Sequence, residues 1–227
     1  MIVLDGKGDL EFFESLLPYI QRAGRMADLR LLNPSRPELS VQYNPFYTDD
    51  DNYGAQVSMI FGSFDLRDEF FSPHQMKYLG DIVRILHYTG KRFNFYDVMV
   101  MALDPGVIED QVAMARSRIA HDSAISWQRR LNFEMSVKNL YQSFADRERL
   151  AKIQGLLNEC MTFLDDDLSI ITGSYDNLLS IDEVIDEQLI LFVSLNINKN
   201  TAPVRALGKM LLQNLQLVVG KRYESES

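Results

Sequence analysis

Cysteine is all but missing from this chain, with Cys160 the single one among 227 residues. One thiol excludes a disulfide framework and a thiolate-built zinc site, and it fits a reducing compartment best. No run approaches the about 18 consecutive apolar residues of a membrane-spanning helix. Asp5 and Lys7 break the basic-then-apolar pattern of a signal peptide, so no direct membrane contact is expected from this segment. Positive charge is in deficit too: 23 Lys and Arg against 32 Asp and Glu leave a net charge of −9, so the averaged field repels nucleic acid and any DNA contact must be local. His74, His87 and His121 stand apart from one another and from acidic neighbours at metal-site spacing, and no nucleophile elbow or triad pattern occurs. The Gly-x-x-x-x-Gly-Lys-Ser/Thr phosphate loop is absent as well.

What is present is the mix of a globular protein, 46% hydrophobic and 24% charged. The length allows about 70% of the unfolded surface to be buried, enough for one large domain or two small ones. The opening Met1-Ile2-Val3-Leu4 reads as a buried strand that stops at Asp5-Gly6-Lys7-Gly8-Asp9. Phe13, Leu16, Leu17 and Ile20 then recur at helical spacing up to Gly24, and residues 29–32 form a second strand ended by Asn33-Pro34. Such a strand, helix, strand unit lays its strands parallel.

From residue 52 to 164 the period stays helical. One helix is expected near 53–61. Another is expected to start at Ser72-Pro73, to carry Met76, Leu79, Val83 and Leu86 inward, and to stop at Gly90. Asn94 with Asp97 opens a third, and Asp104-Pro105 opens a fourth with Ile108, Val112, Ala115 and Ile119 inward. Two more are expected to face inward with Phe133, Val137, Leu140, Tyr141 and Phe144, then with Leu150, Ile153, Leu157, Cys160 and Leu164. Residues 165–179 read as a linker, and both acidic runs, Asp49-Asp50-Asp51 and Asp165-Asp166-Asp167, read as solvated. Residues 189–195 are apolar on both faces, which calls for a covered parallel sheet, and after a loop at 196–200 Thr201 and Pro203 start a last helix. The expected architecture is an α/β fold with a partial parallel sheet in 1–46 and 179–227 and an all-helical domain over 47–178.

Ligands of open parallel sheets lie at the carboxyl ends of strands. Asp5, Gly6, Lys7, Gly8 and Asp9 occupy such an end, where the glycines could admit a phosphate to backbone amides and Asp5 could hold magnesium; a tight solvated turn is the alternative. Leu178 to Glu183 mimics an ATPase strand ending in Asp-Glu, but Ser180 with Glu183 forms a capping box, so it reads as a helix start. Arg116, Arg118, Arg129 and Arg130, with Lys138, Arg147 and Arg149, enrich the helical middle in positive charge, and Trp127, Phe133 and Tyr141 are interleaved. This suits either a nucleic-acid face or a solvated face whose arginines pair with Asp122, Glu134, Asp146 and Glu148 while the aromatics fall mostly at core spacing.

Taken in order, Ile2-Val3-Leu4-Asp5-Gly6-Lys7-Gly8-Asp9, Leu31-Leu32-Asn33-Pro34, Tyr43-Asn44-Pro45-Phe46, a helical insertion, Phe192-Val193-Ser194-Leu195 and Leu207-Gly208-Lys209-Met210-Leu211-Leu212 resemble the conjugative and type IV secretion coupling proteins of the TraG and TraD family along nearly the whole chain. The resemblance implies part of a RecA-like hexameric motor at the cytoplasmic face of the inner membrane. Such a motor uses ATP and Mg to pass single-stranded DNA or protein substrates to secretion channel subunits, its helical domain facing substrate, relaxosome or effector proteins. In that family the phosphate loop would precede Met1 and the Asp-Glu strand would follow Ser227, so no catalytic residue, metal or cofactor is expected in this segment and no ATP hydrolysis by it alone. The alternative is a free-standing helical interaction module without a motor role.

Overall fold

The computed structural model describes residues 1–8, 10–48, 52–66, 71–196 and 201–226. Asp9, the run Asp49-Asp50-Asp51 and residues 197–200 of the loop expected after Leu195 lie outside the described residues. In chain order the elements begin with β1 (Ile2–Asp5), α1 (Leu10–Arg22), β2 (Leu29–Leu32), α2 (Tyr53–Ser63), α3 (Ser72–Thr89), α4 (Phe95–Leu103) and α5 (Pro105–His121). They continue with α6 (Trp127–Ala145), α7 (Arg149–Thr162), α8 (Asp166–Thr172), α9 (Ile181–Asp186), β3 (Ile190–Ser194) and α10 (Thr201–Glu226). The chain divides into two compact units: Met1–Pro45 with Asp165–Ser227, which holds the sheet, and Phe46–Leu164, which is helical.

The sheet has three parallel strands in the order β1-β3-β2. Ile2 lies opposite Leu191 on one side of β3, and Leu29 lies opposite Ile190 on the other. The consecutive strands β1 and β2 are thus held apart by a strand from the far end of the sequence. All five residues of β3 are buried, which explains why its sequence is apolar on both faces. Side chains alternate across a strand. Phe192 meets the rings of Phe12 and Phe13 on α1, with centroids 5.7 and 4.9 Å away. On the opposite face Ile2, Leu4, Leu191 and Val193 line a small apolar hollow with Ile181 of α9 and Leu211 and Leu215 of α10. The result is an α/β arrangement with helices on both faces of a small parallel sheet.

The outer edge of β2 is closed by its own chain, because the Val41 amide donates to the Leu31 carbonyl at 2.7 Å. That returning segment is tied down in turn. The Tyr43 amide donates to Ile171 O at 2.9 Å, and the Leu179 amide donates to Gln42 O at 2.7 Å. These bonds explain why 165–178 belongs with the sheet unit rather than with the helical domain. They also go with a helix inside the expected linker, α8, which buries Leu168 and Ile171. At the start of α9 the Ser180 hydroxyl accepts the Glu183 amide at 3.4 Å, and Arg222 reaches the Asp182 carboxylate at 3.3 Å. Asp182 and Glu183 therefore open a helix.

In the helical unit α3 is the central element, packed against α2, α4, α5, α6 and α7. So many neighbours require a wide apolar arc, and Leu79, Ile82, Val83, Ile85 and Leu86 supply it, each worth about 1.5–3 kcal/mol when buried. Met76, Leu150 and Tyr141, expected to face inward, are exposed instead, because that arc and its counterparts on α6 and α7 are centred on other residues. Gly155 lets α7 come close to α3: a Cβ there would lie 3.1 Å from Gln75 Nε2, which donates to Lys152 O at 3.0 Å. Phe95 stacks on Phe163 with centroids 4.4 Å apart.

The helix ends follow the sequence closely. Asn94 and Asp97 form the capping box of α4, and Asp104 accepts the Gly106 amide at 2.8 Å to start α5. Ser72 is the first residue of α3 and not its cap, a position that Phe71 takes.

Candidate functional site

The carboxyl end of β1 turns back on itself at once. Asp5 Oδ1 accepts the Lys7 amide at 2.9 Å, an Asx turn that short polar side chains favour at strand ends. Asp5 O accepts the Leu195 amide at 2.7 Å, so the turn is fixed to the end of β3. The two glycines differ in kind. Gly8 has φ +67°, and a Cβ on it would meet Asn196 Cβ, Cα and N at 2.7, 2.8 and 2.9 Å, so its missing side chain is filled by the backbone after β3. Gly6 has no atom within 4 Å of such a position and keeps its backbone accessible.

Asp5 and Gly8 are half-buried, while Gly6 and Lys7 are exposed. Asp9, the last member of the motif, lies outside the described residues. Two helices, α1 and α10, begin beyond the ends of β1 and β3 and depart over opposite faces of the sheet, the topology at which open α/β sheets form ligand crevices. Such a corner can present backbone amides and one carboxylate to an anion or its counter-ion. Among the described residues no group of three or more His, Cys, Asp or Glu could hold a metal ion. Cys160 is buried, and desolvation pushes its thiol far above the usual range, so it is inert.

Arg116 and Arg118 lie in the last two turns of α5, and Arg129 and Arg130 lie in the first turn of α6. Arg116 grips Glu134 with both arms, Nε to Oε1 at 3.0 Å and Nη2 to Oε2 at 2.7 Å, and this bond holds the Glu134 carboxyl below its ordinary value. Arg118 donates to His87 O at 3.3 Å and so caps the carboxyl end of α3. Arg130 closes the elbow itself, donating to Ile125 O at 3.1 Å and to Asp122 O at 2.7 Å. Arg129 is exposed on the first turn of α6, where its amide donates to Ser126 Oγ at 3.3 Å.

The three aromatics of this region separate. Phe133 is buried as its spacing implied, whereas Trp127 is 72% exposed and Tyr141, expected to face inward, is 40% exposed. Trp127 continues into an exposed apolar stripe with Leu131 and Met135 at helical spacing. The sequence carried the signal, since Trp127 falls about 120° around the helix from Phe133. Among the described residues no helix is long and apolar enough to cross a membrane. No protein-family model matches the chain, and no curated protein does either.

Proposed function

We propose that this chain is a portion of a conjugative or type IV secretion coupling ATPase. Its sheet unit contributes to a RecA-like nucleotide fold, and its helical unit receives single-stranded DNA or protein substrates. In that role the intact motor binds ATP and Mg at the carboxyl ends of the strands, works as a hexamer at the cytoplasmic face of the inner membrane, and meets relaxosome or effector proteins and channel subunits. The observation that carries the reading is the interruption of one parallel sheet by a helical unit of more than a hundred residues, with β3 returning between β1 and β2 beside the Asp5 to Gly8 turn. The chain alone is expected not to hydrolyse ATP, because the groups that cradle phosphates and orient water in such motors are not in its sequence.

For the helical unit, the exposed Trp127 offers a base-stacking platform on the first turn of α6, the turn that also carries the exposed Arg129. Trp127 is the single tryptophan, so its fluorescence reports on this face alone. Titration with oligothymidylate at low salt is expected to quench it weakly, with a salt slope that falls by about one unit in Arg129→Glu. Arg130→Glu is the poorer probe because Arg130 holds the elbow. A second reading rests on Leu131 and Met135, which make the same face apolar enough to dock a protein. Unchanged Trp127 emission across the titration would discard the DNA face and leave the helical unit as a protein-interaction module.

A further inference from the structure

Trp127, Leu131 and Met135 stand four residues apart along α6, so they form one ridge, and all three are exposed. Helix α6 packs inward on α3 and α5 through Phe133, Val137 and Leu140, which leaves the ridge on its outward side. The ridge runs about 12 Å, the rise of eight helical residues. Lys138 and Gln142, both exposed, continue the same line over the next two turns.

The surroundings of the ridge are positive, against the −9 of the whole chain. From Trp127 to Gln142 the sequence holds three cations, Arg129, Arg130 and Lys138, and one acid, Glu134. Glu134 is gripped by both arms of Arg116 from α5, so that flank ends in a compensated pair rather than a free negative charge. On the opposite flank Arg84 of α3 reaches across, donating to Ser136 Oγ at 2.6 Å and to Asn132 O at 3.3 Å. The nearest other acids are turned aside or lie further on. Asp122 at the elbow accepts the Ala124 amide, and Glu109, about two turns before Arg116 on the same side of α5, falls level with Tyr141, past the ridge. Within a Debye length of about 8 Å the local cations set the field here, whatever the total charge.

From this we infer that the α6 ridge docks an acidic amphipathic helix of a partner protein, which lays its apolar stripe on Trp127, Leu131 and Met135 and turns its carboxylates toward Lys138 and Arg116. The occupant is a helix because the amides and carbonyls of α6 bond within α6. An extended peptide would gain no backbone hydrogen bond here, whereas a partner helix brings its backbone already satisfied. Tryptophan is the strongest anchor type at protein interfaces, and methionine adapts its shape to a neighbour. A nucleic acid would find one aromatic platform followed by Leu131 and Met135, over which a phosphate loses water and gains no partner. The inference deepens the protein-docking reading of this face and is independent of the motor reading.

The test uses the emission of Trp127, the single tryptophan, in the full chain. Three probes are titrated at low salt from about 1 to 100 µM, a range that brackets a micromolar dissociation constant. They are a tryptophan-free helical peptide with a leucine stripe flanked by glutamates, the same peptide with lysines in place of the glutamates, and oligothymidylate. The acidic peptide is expected to shift the emission to the blue and to saturate, and the lysine peptide to bind at least about tenfold more weakly. Leu131→Glu is expected to abolish the shift. Lys138→Glu is expected to weaken the acidic peptide about tenfold and to strengthen the lysine peptide, a swap of preference that a loss of folding cannot produce. Both residues are exposed, so the far-ultraviolet dichroism should not change. Absence of a shift with the acidic peptide overturns the inference, as does equal binding of the two peptides or a preference that ignores Lys138→Glu. Quenching by oligothymidylate without a response to the acidic peptide also overturns it and leaves the DNA reading standing, so the two readings fail separately.

Discussion

The helical unit and the sheet unit hold together by different means. In the helical unit each turn of chain meets its neighbours soon: Asn94 and Asp104 cap successive helices, and α3 packs on α2, α4 and α5, which are close in sequence. In the sheet unit the stabilising contacts join opposite ends of the polypeptide. Ile2 pairs with Leu191, Leu29 pairs with Ile190, and Gly8 packs on Asn196. Local contacts cost little loop-closure entropy and distant ones cost more, so the helical unit is the self-sufficient part and the sheet unit the dependent one.

Cutting the chain breaks the comparison most severely. Residues 46–164 expressed alone are expected to give a strongly helical dichroism spectrum and one cooperative melt. Residues 1–45 alone are expected to be unfolded, because β1 and β2 do not touch without β3. A disordered spectrum from 46–164 would reverse the assignment.

A smaller disturbance is Phe163→Ala, which removes a fully buried ring that stacks on Phe95. It is expected to destabilise the helical unit by about 3–5 kcal/mol in chemical denaturation. Protection of the β3 amides should remain, and if they were lost in the same step the two units would be one cooperative block.

On the sheet side, Gly8→Ala forces a side chain into Asn196 backbone at positive φ and is expected to cost about 2–4 kcal/mol. Gly24→Ala is the control: it shares the positive φ but has no atom within 4 Å, so about 1 kcal/mol is expected. Equal losses would show that packing against Asn196 contributes nothing.

The smallest effect concerns pH. The Glu134 carboxyl has its pKa lowered in the folded chain by the hydrogen bond from Arg116. Its contribution is therefore complete above the unfolded carboxyl value of about 4.3 and is lost as pH falls through the lower folded value. Both partners are about half exposed, so the sum stays within about 1 kcal/mol. Urea midpoints of wild type and Glu134→Gln should converge between about pH 5 and pH 3, and a constant difference would remove the ion pair as its source.

Much of this contrast was legible in the residues themselves. Asn94 with Asp97, Asp104 with Pro105, and Ser180 with Glu183 announce helix starts because a cap is a local device that needs only three or four neighbours. The apolar run in β3 announced a strand buried on both faces. It could not announce that β3 separates β1 from β2, since an apolar side chain says that it is covered and not by what. Helix α8 stayed hidden because Leu168 and Ile171 make too short a pattern behind Asp165-Asp166-Asp167. At the candidate site the Asp5 turn was legible, whereas the use of Gly8 depends on Asn196 at the other end of the chain. The arginines were visible as charge, but not the carbonyls that Arg118 and Arg130 cap, because backbone acceptors leave no mark in a sequence.

The middle position of β3 also orders events on the ribosome. When β1 and β2 have left the exit tunnel their shared neighbour has not been translated, and at ordinary elongation rates it follows on the order of ten seconds later or more. Through that interval the whole helical unit is synthesised and free to fold, while two short apolar strands wait beside it without a partner. Each nascent chain thus carries a finished unit tethered to an unfinished one, and a synthesis that stops early leaves the two strands as exposed bait for chaperones and proteases.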